Sequence, residues 1–339
     1  MMTSMPSNSP VPAMKTSFAN GVCTISLPAM FAVNEAIDFQ GVCRNIFHHH
    51  SNELKQLTLD FSATTFLDSS GLGSLVICRR FCDKHQVELL LQEVGPQVML
   101  VLNMTDLDKV FTIAQQSSHP ERPSTRPRRI DHRAMSTHPS VNSKAKRAMD
   151  IVGSIIGLGV TAILFVPIAI AIQIDDPGPV FFSQIRCSWM GRRFRIWKFR
   201  SMVVNAEALK NRVRNEVEGP LFKNKQDPRV TRVGRFLRKT SLDEFPQFWN
   251  VLRGDMSLVG TRPPTPGEID NYEVPAWQRL NVKPGLTGEW QVNGRSKINK
   301  FEDVIRLDMK YQENWSLMYD IKLIIKTVLV LFTKDSGAA

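Results

Sequence analysis

Asp243 and Glu244 are adjacent carboxylates in the stretch SLDEFPQFWNVLRGDMSLVGTRP, residues 241–263, with Arg238 and Lys239 before them and Arg253 and Arg262 after them. A carboxylate among cations is suited to phosphate chemistry. It can attack phosphorus or hold a metal while arginines neutralise the oxygens that would repel it. Pro246 suits the first turn of a helix, so both acids are expected at a helix N-terminus, where free amides and the macrodipole favour bound anions. A structural use competes: Ser241 with Glu244 fits a capping box, and Asp243 would serve equally as an N-cap.

What positions these acids lies upstream. Residues 151–174 form a charge-free apolar run of 24 residues, roughly 36 Å as a helix and long enough to cross a bilayer. Its flanks are basic on both sides: Lys144, Lys146 and Arg147 precede it, and Arg186, Arg192, Arg193, Arg195, Lys198 and Arg200 follow it. Positive flanks prefer the cytoplasmic side, and Pro167 can break a helix, so a re-entrant hairpin is expected over a simple span. Near the end, residues 319–332 are apolar with Lys322 and Lys326 on one face. That segment is too short to span and is expected to lie in the membrane interface, with ordinary core packing the rival.

Charge divides the chain. Of 339 residues with a net charge of +11, residues 1–115 carry seven Lys or Arg against ten Asp or Glu, leaving net +14 for the rest. Such a surplus suits nucleic acid, anionic lipid or a phosphorylated substrate. No helix-turn-helix, zinc spacing or aromatic RNA-binding motif accompanies it, so nucleic acid is set aside, and one apolar run excludes a multi-span transporter. The five cysteines have no paired short spacing, which implies a reduced, cytosol-facing protein; Cys78, Cys82 and the histidines at 48–50 are expected to be structural rather than metal ligands.

From Lys15 to Ala114 strand-like and helix-like segments alternate, the pattern of a small α/β unit. LTLDFSATTFLDSSGLGSLV, residues 57–76, resembles the STAS fold, a likeness that covers residues 14–115. The resemblance implies that Ser70 is phosphorylated by a partner kinase and that a STAS-binding regulatory protein exists. The plainer expectation is that Asp68 and Ser69 cap a helix while Gly71 and Gly73 permit a tight turn. Residues 1–13 are expected to be disordered, and the Pro-, Ser- and Arg-rich residues 116–143 to form a flexible tether.

DPRVTRVGRFLRKTSLDEFPQFWNVLRGDMSLVGTRP, residues 227–263, is similar to the signature of the bacterial sugar transferases, the monotopic polyprenyl-phosphate phosphoglycosyl transferases. KRAMD, GPVFFSQIR, GRRFRIWKFRSM and KPGLTGEWQVNGR stand around it in family order. Phe245 and Phe248 replace the usual Leu and Thr261 the usual Pro, departures that leave the acid pair intact. The fold class expected is thus two-domain α+β/α/β: a STAS-like mixed-sheet unit, a re-entrant membrane helix over residues 144–175, and a mainly helical monotopic catalytic domain over residues 176–334 with interfacial helices.

The resemblance also implies a chemistry and a place. A sugar 1-phosphate passes from a nucleoside diphosphate sugar, generally a uridine one, to undecaprenyl phosphate at the cytoplasmic face of a bacterial inner membrane, initiating exopolysaccharide or glycoconjugate synthesis. Asp243 is the implied nucleophile, Mg²⁺ the implied cofactor, with Glu244 beside Asp243 as its holder. Arg238 and Arg262 are the expected phosphate clamps, and Arg186, Lys198, Arg200, Lys283, Thr287 and Arg295 the expected donor or headgroup surface. Gly285 and Gly288 are read as turn residues, and Trp249 and Trp290 as packing groups. The rival reading is a membrane-docked STAS scaffold whose transferase half is inactive.

Overall fold

A computed structural model describes residues 14–50, 53–114, 138–209, 213, 215–216, 224, 226–293 and 300–332. It divides into two compact units, Met1–Asp131 and His132–Ala339, each taken here by itself. The segments at 1–13 and 116–137, and Arg295, lie outside the described residues.

In the first unit, β1 (Thr16–Ala19), β2 (Val22–Ser26), β3 (Met30–Phe31), α1 (Val33–His50), β4 (Gln56–Asp60), β5 (Phe66–Leu67), α2 (Ser69–His85), β6 (Glu88–Gln92), α3 (Pro96–Met104) and β7 (Thr112–Ile113) follow in order. The five-stranded sheet has the order β1-β2-β4-β6-β7, with β1 antiparallel to β2 and the other pairings parallel. Parallel pairing requires crossover helices, and Leu57, Thr58 and Leu59 of β4 and Leu89 and Leu91 of β6 are buried. SFANGVCTISL, which reads as one strand, is a hairpin: Asn20 and Gly21 take φ of 51° and 79°, the left-handed pair of a tight Asn-Gly turn. Gly71 is no turn residue. It sits inside α2, where a Cβ would lie 2.2 Å from the Phe31 carbonyl oxygen, so close packing is what demands glycine there.

The second unit begins at α4 (Pro139–Asn142), whose capping residue His138 also reaches the Gln312 carbonyl at 2.9 Å; residues 138–143 are therefore folded, although their composition assigns them to the tether. Then come α5 (Lys144–Asp175), the antiparallel hairpin β8 (Phe181–Cys187) and β9 (Arg193–Phe199), α6 (Arg232–Thr240), a 3-10 turn (Leu242–Gln247) and α7 (Phe248–Arg253). β10 (Ser257–Val259), α8 (Pro266–Ile269), α9 (Val274–Trp277), β11 (Gly285–Thr287), α10 (Glu289–Asn293), α11 (Phe301–Glu313) and α12 (Leu317–Phe332) complete it, with β10 and β11 parallel. This part is mainly helical.

α5 is a continuous helix of 32 residues, started by Ser143 Oγ accepting from the Lys146 amide at 3.2 Å. Pro167 lies inside it without ending it, so the interruption expected there is absent. The cost of the missing N–H is offset by packing on both sides, since Leu164, Ile168 and Ile172 join Phe199 and Leu237 in one cluster. Lys146, Asp150, Ser154, Gly157, Thr161, Ile168 and Ile172 form one buried stripe, while Ile156, Ile163 and Ile174 on the other side are 64, 77 and 79% exposed. Both ends are tied to the same unit: Asp150 Oδ1 accepts from the Ser257 hydroxyl and the Leu258 amide, each at 2.9 Å, and Asp175 accepts from the Val233 amide at 2.8 Å.

Behind the acids the backbone is packed on itself. A Cβ on Gly285 would lie 2.1 Å from the Gly260 nitrogen, and one on Gly288 would lie 2.1 Å from the Gly260 oxygen. Gly285 belongs to β11 rather than to a turn, though close approach is indeed its function. Gly285→Ala should destabilise the unit by about 2–3 kcal/mol. A midpoint shift in chemical denaturation measures this, and an unchanged midpoint would show that β10 and β11 can separate freely.

Candidate active site

Ser241 sets the geometry of the acids. At φ 57° and ψ 18° it ends α6 and starts the 3-10 turn, placing Asp243 and Glu244 in the first turn with Pro246 inside it. The expected helix N-terminus is thus this short turn, with α7 following. Asp243 is buried, 6% exposed.

The capping box between Ser241 and Glu244 is not made. Ser241 Oγ is buried without a partner, and Glu244 Oε1 instead accepts from Lys198 Nζ at 2.7 Å. A capping box does exist further on, where Thr265 and Glu268 satisfy each other's backbone at the start of α8.

Lys198 is delivered by β9. In the hairpin register it faces Phe182, and because strand side chains alternate, Phe182, Gln184 and Arg186 share its face. Arg186 donates to the Pro263 carbonyl at 2.9 Å, and its Nε has no partner. Burial, with Arg262 adding to it, pulls Arg186 down to about 10, while Glu268 and then Glu244 pull the other way. An arriving anion would relieve that strain on the charged form.

The other expected cations divide. Arg262 is committed inside the protein, donating to both carboxylate oxygens of Glu268 at 2.6 and 3.1 Å, and Arg279 below it holds Asp308 at 2.7 Å and the Tyr272 hydroxyl at 2.6 Å. Arg200 pairs with Asp176 at 3.1 Å and so fastens the end of α5. Lys283 is depressed by burial and by Arg147. Arg238 is half-buried on α6 and pulls the Asp227 carboxyl down, after the larger effect of the Arg229 hydrogen bond. The structure therefore brings Lys198 to Glu244 and Arg186 near it, and spends Arg200 and Arg262 on protein carboxylates.

Beside Glu244 is a small cavity of about 60 Å³ bounded by Ser241, Thr287, Gln291 and Thr327. Thr287 Oγ1 and Thr327 Oγ1 hydrogen-bond at 2.6 Å, while Ser241 Oγ and Gln291 Oε1 are buried without partners. Two unpaired polar atoms facing one space favour a hydroxyl-rich ligand there. Trp249, expected to pack, is 47% exposed.

Among the described residues no three His, Cys, Asp or Glu side chains gather to hold a metal. Two carboxylates nevertheless fit Mg²⁺ of the kind that completes its shell with substrate phosphates and water. Asp243 and Glu244 would be that donor set.

The spacing of KRAMD carried a signal that was missed. Lys146 and Asp150, one turn apart, face inward: Lys146 Nζ reaches Asp320 at 2.5 Å, the Val259 carbonyl at 3.0 Å and the Tyr311 hydroxyl at 3.3 Å. Arg147 closes the end of α7, donating to the carbonyls of Val251 and Leu252 at 2.7 and 2.6 Å. Asp227 and Arg229 form a further buried pair at 2.7 Å.

In the first unit Asp68 caps α2, accepting from the Gly71 amide at 2.8 Å. Ser70 lies in the first turn, 0% exposed, with its hydroxyl unpartnered. All five cysteines are free and buried.

The family model described as bacterial sugar transferase matches residues 141–334, and that of the STAS domain matches residues 17–119. Galactosyl transferase CpsE of Streptococcus agalactiae is 51% identical over 55% of this chain and 42% of its own. Undecaprenyl-phosphate galactose phosphotransferase of Salmonella typhimurium is 42% identical over 57% of this chain and 41% of its own. The chain thus spans about two fifths of the length of these relatives. Among solved structures, the phosphorylated Bacillus cell fate determinant SpoIIAA aligns with 31% of this chain and 93% of its own at 15% identity and a TM-score of 0.27.

Proposed function

This chain belongs to the bacterial sugar transferase family, and on that premise we propose that it transfers a sugar 1-phosphate from a uridine diphosphate sugar to undecaprenyl phosphate through a covalent ester on Asp243. The observation that carries this reading is the buried Asp243 in a tight turn whose neighbour, Glu244, is held by Lys198 from the hairpin. Relatives named as undecaprenyl-phosphate sugar phosphotransferases support the substrate class.

In the first step an oxygen of Asp243 attacks the sugar-bearing phosphorus. The bond to the nucleoside phosphate breaks, and its electron pair leaves on the nucleoside monophosphate. In the second step an oxygen of the polyprenyl phosphate attacks the same phosphorus, and the carboxylate departs with its electrons. Two moderate barriers replace one high one. Lys198 and Arg186 counter the repulsion between carboxylate and phosphate, and the turn holds the nucleophile in line. Mg²⁺, held by Glu244 and Asp243, would supply further charge neutralisation at the phosphates. Ser241 and Gln291 offer the unpaired groups that can read hydroxyls beside the acids.

Membrane placement follows from α5. A span would carry its two ends to opposite sides of the bilayer, yet both ends bond to one folded unit, through Asp150 and Asp175. This supports a helix whose two ends stay on one side of the bilayer, with its exposed isoleucines in lipid. Basic flanks favour the cytoplasmic side.

A two-step path makes a distinctive prediction. Without any polyprenyl phosphate, labelled uridine monophosphate should exchange into the unlabelled donor, because the first step is reversible from the aspartyl ester. Absence of exchange in enzyme that is competent for full transfer would favour direct displacement and remove the covalent role from Asp243.

A further inference from the structure

α10, α11 and α12 bound a second cavity, about 550 Å³ in volume, lined by Lys310, Lys322, Lys326, Asn293, Tyr319 and Glu289 among others. Its charges do not balance. Glu289, 2% exposed, is the lone acid in the lining, and it is shared by Lys310 at 3.3 Å, the Tyr319 hydroxyl and the Asn293 amide. That leaves Lys326, which donates to the neutral Asn293 carbonyl oxygen, and Lys322, with no partner among the described residues. Two ammonium groups face the cavity without a counter-charge.

The rest of α12 indicates what brings that charge. Met318, Ile321, Ile325, Val328 and Leu329 recur at helical spacing and are 71, 37, 56, 48 and 61% exposed, an apolar stripe without protein cover. Asp320 and Leu323 mark the opposite, buried side. At about 100° per residue, Lys322 and Lys326 fall on the border between stripe and buried side. A helix whose stripe sinks into acyl chains carries such border lysines at headgroup depth.

We propose that this cavity binds the phosphate-bearing headgroup of an anionic membrane phospholipid, at a site separate from the two substrates of transfer. A lipid surface is favoured over a soluble phosphate compound because the cationic mouth is continuous with the exposed apolar stripe, which a bilayer would cover. The site also reaches the catalytic pocket: Thr327, adjacent to Lys326, is bonded to Thr287 beside Glu244. A headgroup that pins α12 therefore steadies one wall of that pocket. The inference rests on the membrane-docked reading of the chain but not on the transfer chemistry.

Co-sedimentation of the full chain with vesicles tests it, using phosphatidylcholine alone and phosphatidylcholine mixed with phosphatidylglycerol. Lys322→Gln with Lys326→Gln should weaken binding to the mixed vesicles about fivefold per lysine and leave binding to neutral vesicles unchanged. Lys239→Gln, an exposed lysine of α6 outside the cavity, should leave both unchanged. Native binding to mixed vesicles by the double variant would overturn the proposal, and so would an equal loss in Lys239→Gln, which would signify diffuse attraction. Displacement by inorganic phosphate beyond that caused by chloride of equal ionic strength would assign the cavity to a soluble anion. Monophosphate release in detergent, scored separately, reports on the transfer reaction: a raised donor KM with intact vesicle binding would give the cavity to the donor.

Discussion

Asp243→Asn should release no nucleoside monophosphate above background, a fall of about four orders of magnitude or more, as expected when an essential nucleophile is lost. The substitution is nearly isosteric at a buried position in a short turn, so the protein should keep its unfolding midpoint and its membrane binding. Glu244→Gln should lose less, because Glu244 is assigned to the metal and to Lys198 rather than to the attack on phosphorus. The same measurements address the rival scaffold reading, in which the native chain itself would turn over no donor. If Asp243→Asn released monophosphate at the native rate, the nucleophile would have to be sought elsewhere. Mass spectrometry of native enzyme given donor alone should find the phospho-sugar adduct on the peptide containing Asp243, and the variant should lack it.

How far the sequence could lead depended on the range of each interaction. The acid pair, the proline-containing turn after it and the apolar helix were legible because each rests on residues close together in the chain. The roles of the arginines were not. Arg200 shares a basic cluster with Arg186, and Arg262 one with Arg238, yet Asp176 and Glu268 occupy them. Composition cannot show which cation meets a tertiary carboxylate and which stays available. Pro167 misled for a related reason: a proline weakens a helix locally, but packing by Ile168 and Ile172 lies beyond a local rule. The Asn20-Gly21 hairpin was legible in principle, since Asn-Gly between β-prone residues is a strong turn signal, and reading the stretch as one strand passed over it. Gly71 illustrates the converse, a helical glycine whose need comes from a carbonyl on β3 and is invisible in its own neighbourhood.

The largest effect on stability is expected at the foot of α5. Lys146 and Asp320 are separated by 174 residues and form a 2.5 Å pair that is almost wholly buried, with the Tyr311 hydroxyl and Trp315 Nε1 also directed at Asp320, at 2.8 and 3.2 Å. Lys146→Met keeps the length of the side chain but leaves Asp320 as a carboxylate in a dry site, with two neutral donors to stabilise it. The loss should be about 3–5 kcal/mol, the usual cost of stranding one member of a buried ion pair. Lys146→Met combined with Asp320→Leu should recover much of that loss, because an apolar pair of similar volume no longer pays for desolvating charge. Denaturation of the detergent-solubilised chain can separate these outcomes. A single variant within about 1 kcal/mol of native would mean that water reaches Asp320 in solution, since a screened pair contributes only that much. The double variant also carries information about function: Lys146 Nζ and the Tyr311 hydroxyl both donate to the carbonyl of Val259, the residue next to Gly260 at the backbone layer behind the acids. If the restored double variant is stable but transfers sugar phosphate more slowly, the polar joint at the base of α5 also serves to hold that layer in register with Asp243.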